Sequence, residues 1–393
     1  MISPYKKDFP ALTNQDISYL DSAATCQVPI PVINALTQYL TDGQGNAGRG
    51  MHQFSQKADE LINSCRRKVA NLINANESNI IFTKSTTESI NFVAHGISSQ
   101  VSEKDSILVT ALEHHSNLLP WQRLCKQTGA RLNILPIDNH GELILDNFEE
   151  YIEDNCRLMA ITQCSNVLGH YPQISQLIDK AKTYGARTLV DGAQAIAHKA
   201  TDVREMNCDY YVFSGHKLYA PTGSGILYAK ELNDLEPFLL GGGSVLKASL
   251  DDFILKKGSD KFEAGTANLV SLVGLSSAID YITYIGFSAI TEHETRLNQY
   301  LEQQLKQKTN FKVISHPKSP SLVSFYSDKI HGHDVASLLA EKNIAIRAGH
   351  HCAQPCLNAI GLKHCLRASI GIYNDTTDID KLINELVEIE KLF

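Results

Sequence analysis

No run of apolar residues in this chain is long and uncharged enough to span a bilayer. The most apolar helical stretch, Leu269 to Ile290, is interrupted by Asp280 and several Ser, Thr and Tyr residues, so a membrane span is not expected. The opening M-I-S-P-Y-K-K-D-F-P has no apolar core of signal-peptide length. No block of like charge stands out. Lys and Arg total 36 against 43 Asp and Glu, a net charge of −7, which argues against a nucleic-acid surface. There is no internal repeat and no low-complexity tract. The nine cysteines follow no regular spacing. That excludes a disulfide framework and fits a reducing cytoplasm.

What is present is an ordinary globular composition, 43% apolar and 20% charged, over 393 residues. That length is enough for roughly two or three domains. Short apolar runs alternate with helical patterns between residues 79 and 228. Strands are predicted at Asn79–Thr83, Ser106–Thr110, Arg131–Leu135, Arg157–Thr162, Ala186–Asp191, Tyr210–Phe213 and Gly225–Tyr228. The β-α-β rhythm predicts a largely parallel sheet with helices on both faces. Ligands of such sheets sit beyond the strand carboxyl ends. Glu88, Glu113, His114, Asn166, Asp191 and Lys217 all fall at or just after predicted strand ends. The stretch after G-G-G-S (241–244) reads as a mobile loop, and residues 270–308 as one long helical region crossing into a smaller second domain.

Residues 191–223 carry the sharpest chemistry. Asp191 ends one apolar run and Lys217 lies just past the end of another, in S-G-H-K-L-Y-A-P-T-G. An aldehyde cofactor with a cationic ring nitrogen needs such a pair: an amine for a Schiff base and a carboxylate for the pyridinium. Ser214, Gly215 and His216 offer a hydroxyl, a permissive backbone and an imidazole for a phosphate. T-T-E-S-I-N (86–91) opens a helix, and helix N-termini favour phosphate. Alone, this segment also reads as an ordinary N-cap. E-H-H-S-N (113–117) offers a ring to stack on a pyridine and shuttle a proton. A metal site there is a competing reading without a dependable third ligand, and no metal is expected.

R-A-G-H-H-C-A-Q-P-C (347–356) places the Cys352 thiol beside Arg347, His350 and His351, where positive charge favours thiolate. Alternatives are a buried structural cysteine, a zinc site of His350, His351, Cys352 and Cys356, or a C-x-x-x-C disulfide. Arg367, in L-R-A-S-I, is either a surface charge or a bidentate clamp for a carboxylate.

Together these motifs resemble the SufS/CsdA-type cysteine desulfurases within the class-V, fold-type I pyridoxal-phosphate (PLP) enzymes. The likeness runs from Y-L-D-S-A-A-T (19–25) to Tyr373-Asn374. It includes S-N-V-L-G, V-D-G-A-Q and F-E-A-G-T. The resemblance implies an α/β fold with a mostly parallel large domain (21–285). A smaller α+β C-terminal domain (286–393) would carry the cysteine loop, and an N-terminal arm (1–20) would pack with it.

By the same resemblance, Lys217 holds PLP, Asp191 pairs with the pyridine nitrogen, Gln194 meets the phenolic oxygen and His114 stacks on the ring. Thr86, Thr87, Ser214 and His216 hold the phosphate, helped by Thr266 from the other subunit of a homodimer. Asn166 and Arg367 bind the substrate carboxylate. Cys352 accepts sulfur as a persulfide, with Arg49 and Arg347 lining its pocket. The implied reaction converts L-cysteine to L-alanine and passes sulfur to a SufE/CsdE-like acceptor for iron–sulfur cluster assembly.

Selenocysteine lyase or cysteine sulfinate desulfinase activity is the alternative reaction. A non-catalytic sulfur-transfer scaffold is the alternative class. Gly48, Ala267 and Cys356 depart from the family pattern, which commonly has histidine, proline and an apolar residue there. Cys356 raises the idea of a second thiol near the persulfide. The cysteine loop is short, as in the SufS/CsdA type.

Overall fold

The computed structural model describes residues 2–48 and 50–393. A seven-stranded sheet forms its centre, in the spatial order Ile80–Thr83, Gly225–Ala229, Tyr210–Ser214, Arg187–Asp191, Cys156–Thr162, Ser106–Thr110 and Arg131–Leu135. Gly225–Ala229 runs antiparallel to both its neighbours, and every other pairing is parallel. The reversal has a local cause. Only residues 215–224 join Tyr210–Ser214 to Gly225–Ala229, fewer than the roughly dozen residues a parallel crossover needs. The chain therefore turns straight back, and this turn carries Lys217. The Ser106–Thr110, Tyr210–Ser214 and Gly225–Ala229 strands are buried throughout, as expected for a sheet covered on both faces.

A second, four-stranded antiparallel sheet has the order Lys312–Val313, Leu322–Tyr326, Cys365–Ser369, Arg347–Gly349. Leucines of the Phe287–Lys308 helix and apolar residues of Gly332–Glu341 and Thr376–Glu390 share its separate core. The amino-terminal segment is more ordered than an irregular arm, with a short helix at Pro10–Thr13. It touches both cores. Ser18–Tyr19 pairs with Ile344–Ala345 beside the smaller sheet, whereas Phe9 packs on Tyr219 and Tyr373 in the larger core.

Two expectations need correction. Residues 270–308 are not one helix: Leu269–Ile285 and Phe287–Lys308 meet at 79°. Gly286, at φ +85°, ends the first, in a backbone conformation that glycine adopts without a Cβ penalty. The stretch after the triple glycine is a hairpin, Val245–Ala248 with Phe253–Leu255, closed by the Lys256 amide on the Ser244 carbonyl. Leu246, Phe253 and Ile254 are exposed on it, so no buried face imposes the alternation that reveals a strand. Among the described residues no single helix is long and apolar enough to cross a membrane.

Candidate active site

The carboxyl ends of the parallel strands converge on a cavity of about 200 Å³ between the two sheets. Twelve of the fourteen site residues expected from the sequence line it: Thr86, Thr87, His114, Asn166, Asp191, Gln194, Ser214, His216, Lys217, Arg347, Cys352 and Arg367. Thr266 does not. It lines a separate cavity of about 390 Å³ with Asn46, Gly48 and Glu263. Arg49 lies outside the described residues.

Lys217 closes a single 3-10 turn, Gly215–Lys217, at the start of the reversing loop. The Gly215 amide donates to Ser224, and its carbonyl accepts from Leu218 and Ala220. A Cβ on Gly215 would collide with the Ser224 hydroxyl, so the turn closes only over glycine. The amine points into the cavity from a half-buried residue, and desolvation lowers its pKa to about 8, against a pull upward from Asp191. Asp191 is buried at its strand end and accepts the Ala193 amide at 3.0 Å. Burial raises its pKa, with that hydrogen bond and the Lys217 charge opposing. Gln194 donates to the Ala23 carbonyl.

The Thr86–Gly96 helix points its N-terminus at the same cavity. Ser85 caps it by accepting the Glu88 amide. Gly225 lets the reversed strand approach, since a Cβ there would strike the Ser85 backbone. The Thr86 amide and hydroxyl both lie 2.7 Å from the Ser214 oxygen. Thr87 and Ser116 share a 2.7 Å hydrogen bond. His216 Nδ1 is 3.3 Å from the Thr25 hydroxyl. Burial lowers its pKa to about 4, so the ring is neutral near pH 7. Hydroxyls and free amides at a helix N-terminus suit a phosphate.

His114 caps the next turn. Its Nδ1 accepts the Ser116 amide at 3.0 Å. Burial, aided by Lys217, brings its pKa to about 3. The ring is neutral, with its proton on Nε2. Beneath it Glu113 is fully buried and accepts from Thr110, Asn117 and the Thr162 amide. Burial outweighs these bonds and raises its pKa to about 8.

Cys352 enters from the smaller sheet and is the one exposed cysteine of nine. His351 and Cys352 are both left-handed, at φ +51° and +54°. Such non-glycine geometry costs on the order of 1–3 kcal/mol per residue and persists only where neighbours over-determine it. Here they do. The Cys352 carbonyl accepts the His115 amide at 2.7 Å, and the Cys352 amide donates to His350 Nδ1 at 3.0 Å. Asn166 Nδ2 donates to the His351 carbonyl, and His351 Nε2 donates to Cys365.

Burial and the nearby arginines take the His351 pKa down to about 3. His351 therefore contributes no positive charge to the thiol, contrary to expectation. Cys356 is fully buried, with its thiol pushed up to about 12 by burial, so it is not a second accessible thiol. Both sulfurs are free, which removes the disulfide alternative. The zinc quartet does not converge either: among the described residues, no grouping of metal-ligand atoms brings His350, His351, Cys352 and Cys356 together.

Arg367 is a buried clamp rather than a surface charge, 2% exposed. Its guanidinium donates to the Asn166 carbonyl at 2.8 Å and to Asp21 at 3.2 Å, leaving Nε without a partner. Arg347 pairs with the other Asp21 oxygen at 3.4 Å. Asp21 thus bridges two arginines facing one cavity, a role missed in the sequence. Its signal was a lone carboxylate between an apolar strand and a loop of small residues.

The class-V aminotransferase family matches residues 18–382. A cysteine desulfurase of Cronobacter sakazakii is 39% identical, with 98% of each chain aligned. Among solved structures, the cysteine desulfurase CsdA (S-sulfonic acid) of Escherichia coli superposes with a TM-score of 0.93 at 37% identity, covering 99% of this chain and 98% of that one. The apo cysteine desulfurase of Thermococcus onnurineus gives a TM-score of 0.95 at 36% identity, covering 100% and 99%. The chain belongs to the class-V aminotransferase family, and its fold is the fold-type I architecture of PLP enzymes.

Proposed function

We propose that this chain is a PLP-dependent cysteine desulfurase, which converts L-cysteine to L-alanine and takes the sulfur onto Cys352 as a persulfide. One observation carries the reading: the single exposed thiol lines the same cavity as the Lys217–Asp191 pair. The cavity suits PLP. It offers a desolvated amine, a buried carboxylate with no cationic hydrogen-bond partner, a cluster of hydroxyls at a helix N-terminus, and an orphaned Arg367 Nε for an anion.

When bound, PLP supplies the electron sink that makes the substrate Cα proton removable and the C–S bond labile. Lys217 would hold the cofactor through its aldehyde, and its Nζ would carry the substrate Cα proton. Asp191 would keep the pyridine nitrogen protonated, and Gln194 would hydrogen-bond the phenolic oxygen. His114, with its proton on Nε2, would stack on the ring. Thr86, Thr87, Ser214 and His216 would hold the phosphate, joined by Thr266 of the partner subunit in a homodimer. Arg367 and Asn166 orient the substrate carboxylate, while Arg347 lines the thiol's side of the pocket. The Cys352 thiolate bonds to the substrate sulfur as the C–S bond breaks, and alanine leaves.

We assign residues 21–285 and 286–393 to the two domains, with the segment before them as an arm. The acceptor is a SufE/CsdE-like protein that docks at the short cysteine loop and feeds iron–sulfur cluster assembly. Nine free cysteines support a reducing cytoplasm as the location. The test is to incubate purified protein with cysteine, quantify alanine and sulfide, and map the persulfide by mass. Alanine release without sulfur on Cys352 would refute the assignment.

A further inference from the structure

Three segments far apart in sequence bring Glu142, His170 and His316 together outside the catalytic cavity. Glu142 sits in a turn closed by the Ile137–Leu143 bridge, with its own amide held by Asp138. His170 ends the turn after the Cys156–Thr162 strand, and its carbonyl accepts the Ser165 amide. His316 lies between Lys312–Val313 and Leu322–Tyr326, and its amide donates to the Leu168 carbonyl at 2.7 Å. One Glu142 oxygen is 3.2 Å from His170 Nε2, and the other is 2.8 Å from His316 Nε2. The two rings are 4.7 Å apart. All three donor atoms lie within 4.8 Å of one another.

We propose that Glu142, His170 and His316 form a site for a divalent transition-metal ion of the Zn²⁺ class. Two imidazoles and a carboxylate are a common three-ligand set for such an ion, leaving one position for water. With ligand bonds of about 2.1 Å, tetrahedral ligands stand about 3.4 Å apart, so small side-chain rotations close the set. His170 is only 7% exposed, and the buried ring presents its Nε2 to the Glu142 carboxylate.

An ion here would tie a turn of the smaller sheet to two turns of the larger one. One of those turns carries Asn166, which holds the His351 carbonyl beside Cys352. The site would therefore brace the cysteine loop from behind without touching substrate.

The test titrates Zn²⁺ into the cofactor-loaded protein by calorimetry, in wild type and in Cys352→Ser, which removes the competing exposed thiol. The expected result in Cys352→Ser is one ion per chain with a Kd below about 10 μM. Glu142→Gln and His316→Ala, each added to Cys352→Ser, should weaken it at least about tenfold. Zn²⁺ should also raise the melting temperature of Cys352→Ser, and this shift should vanish with His316→Ala added. Weaker binding, binding indifferent to both substitutions, or binding abolished by Cys352→Ser alone would each overturn the proposal. In the first case the carboxylate merely shares a proton with the imidazoles.

Discussion

The backbone amide of His115 donates to the carbonyl of Cys352 at 2.7 Å. His115 immediately follows His114 in the turn after the Ser106–Thr110 strand, while Cys352 lies in the turn after the Arg347–Gly349 strand of the smaller sheet. One hydrogen bond therefore fixes the height of the thiol relative to the ring of His114. The two chemical centres of the proposed reaction, carbon at Lys217 and sulfur at Cys352, sit on turns whose backbone is itself held by hydrogen bonds.

Cys352→Ala should retain the cofactor absorbance and lose alanine formation from cysteine by at least about a hundredfold. Cys356, buried with its pKa pushed up to about 12, should not rescue it. Steady-state alanine release checks this. The same variant assayed on selenocysteine separates desulfurase from lyase chemistry, because a good leaving group needs no protein thiol.

Lys217→Ala should lose both the absorbance of the lysine-linked cofactor and turnover, by about a thousandfold or more. Retention of either would remove Lys217 from its assigned role. Absorbance after dialysis against the cofactor, with single-turnover alanine yield, reads both.

Cofactor capture by the apo-protein should accelerate with pH. Only the unprotonated Lys217 amine is nucleophilic, and burial places its pKa at about 8. The capture rate should climb about tenfold per pH unit below that value and level off above it. A stopped-flow series between pH 6 and 10 (on the order of two units either side) measures it. A midpoint near the ordinary lysine value would contradict the burial argument.

Arg367→Lys should raise KM for cysteine by about ten- to a hundredfold, with a smaller change in kcat. Lysine keeps the charge but cannot hold Asn166, Asp21 and a carboxylate in one planar fork. Equal falls in kcat and kcat/KM would instead mark a transition-state contact.

Glu263→Ala should destabilise the fold by about 3 kcal/mol. Glu263 accepts two hydrogen bonds from the largely buried Arg66 and one from the Phe82 amide. Its loss leaves a cation and an amide unpaired just upstream of Thr266. Denaturant unfolding should show the drop, with Glu263→Gln intermediate.

Much of this was legible in the chain because burial wrote it there. Ser106–Thr110, Arg187–Asp191 and Tyr210–Ser214 stand where their apolar runs predicted, and the strand-end positions of His114, Asp191 and Lys217 followed from those runs. The hairpin at 245–255 was illegible because its residues face solvent on both sides. The break at Gly286 was hidden because the residues around it favour helix on either side. The burial of Cys356 depends on Leu112 and Val167, which share its core, and the neutral state of His351 on burial beside Arg367. No spacing rule connects those segments. Asp21 and the Glu142 cluster were invisible for the same reason: their partners lie far away in the sequence.

Eight of the nine thiols are sealed in the interior, each pushed to about 11 or 12 by burial. A thiol-reactive dye added to the native protein should therefore count to one, and to nine only after unfolding. The fold turns a cysteine-rich chain into a singly addressable one. A label at that address would report the state of the sulfur-accepting site directly: a persulfide also reacts but releases the dye on reduction, whereas a residue oxidised to the sulfinic acid leaves the count at zero.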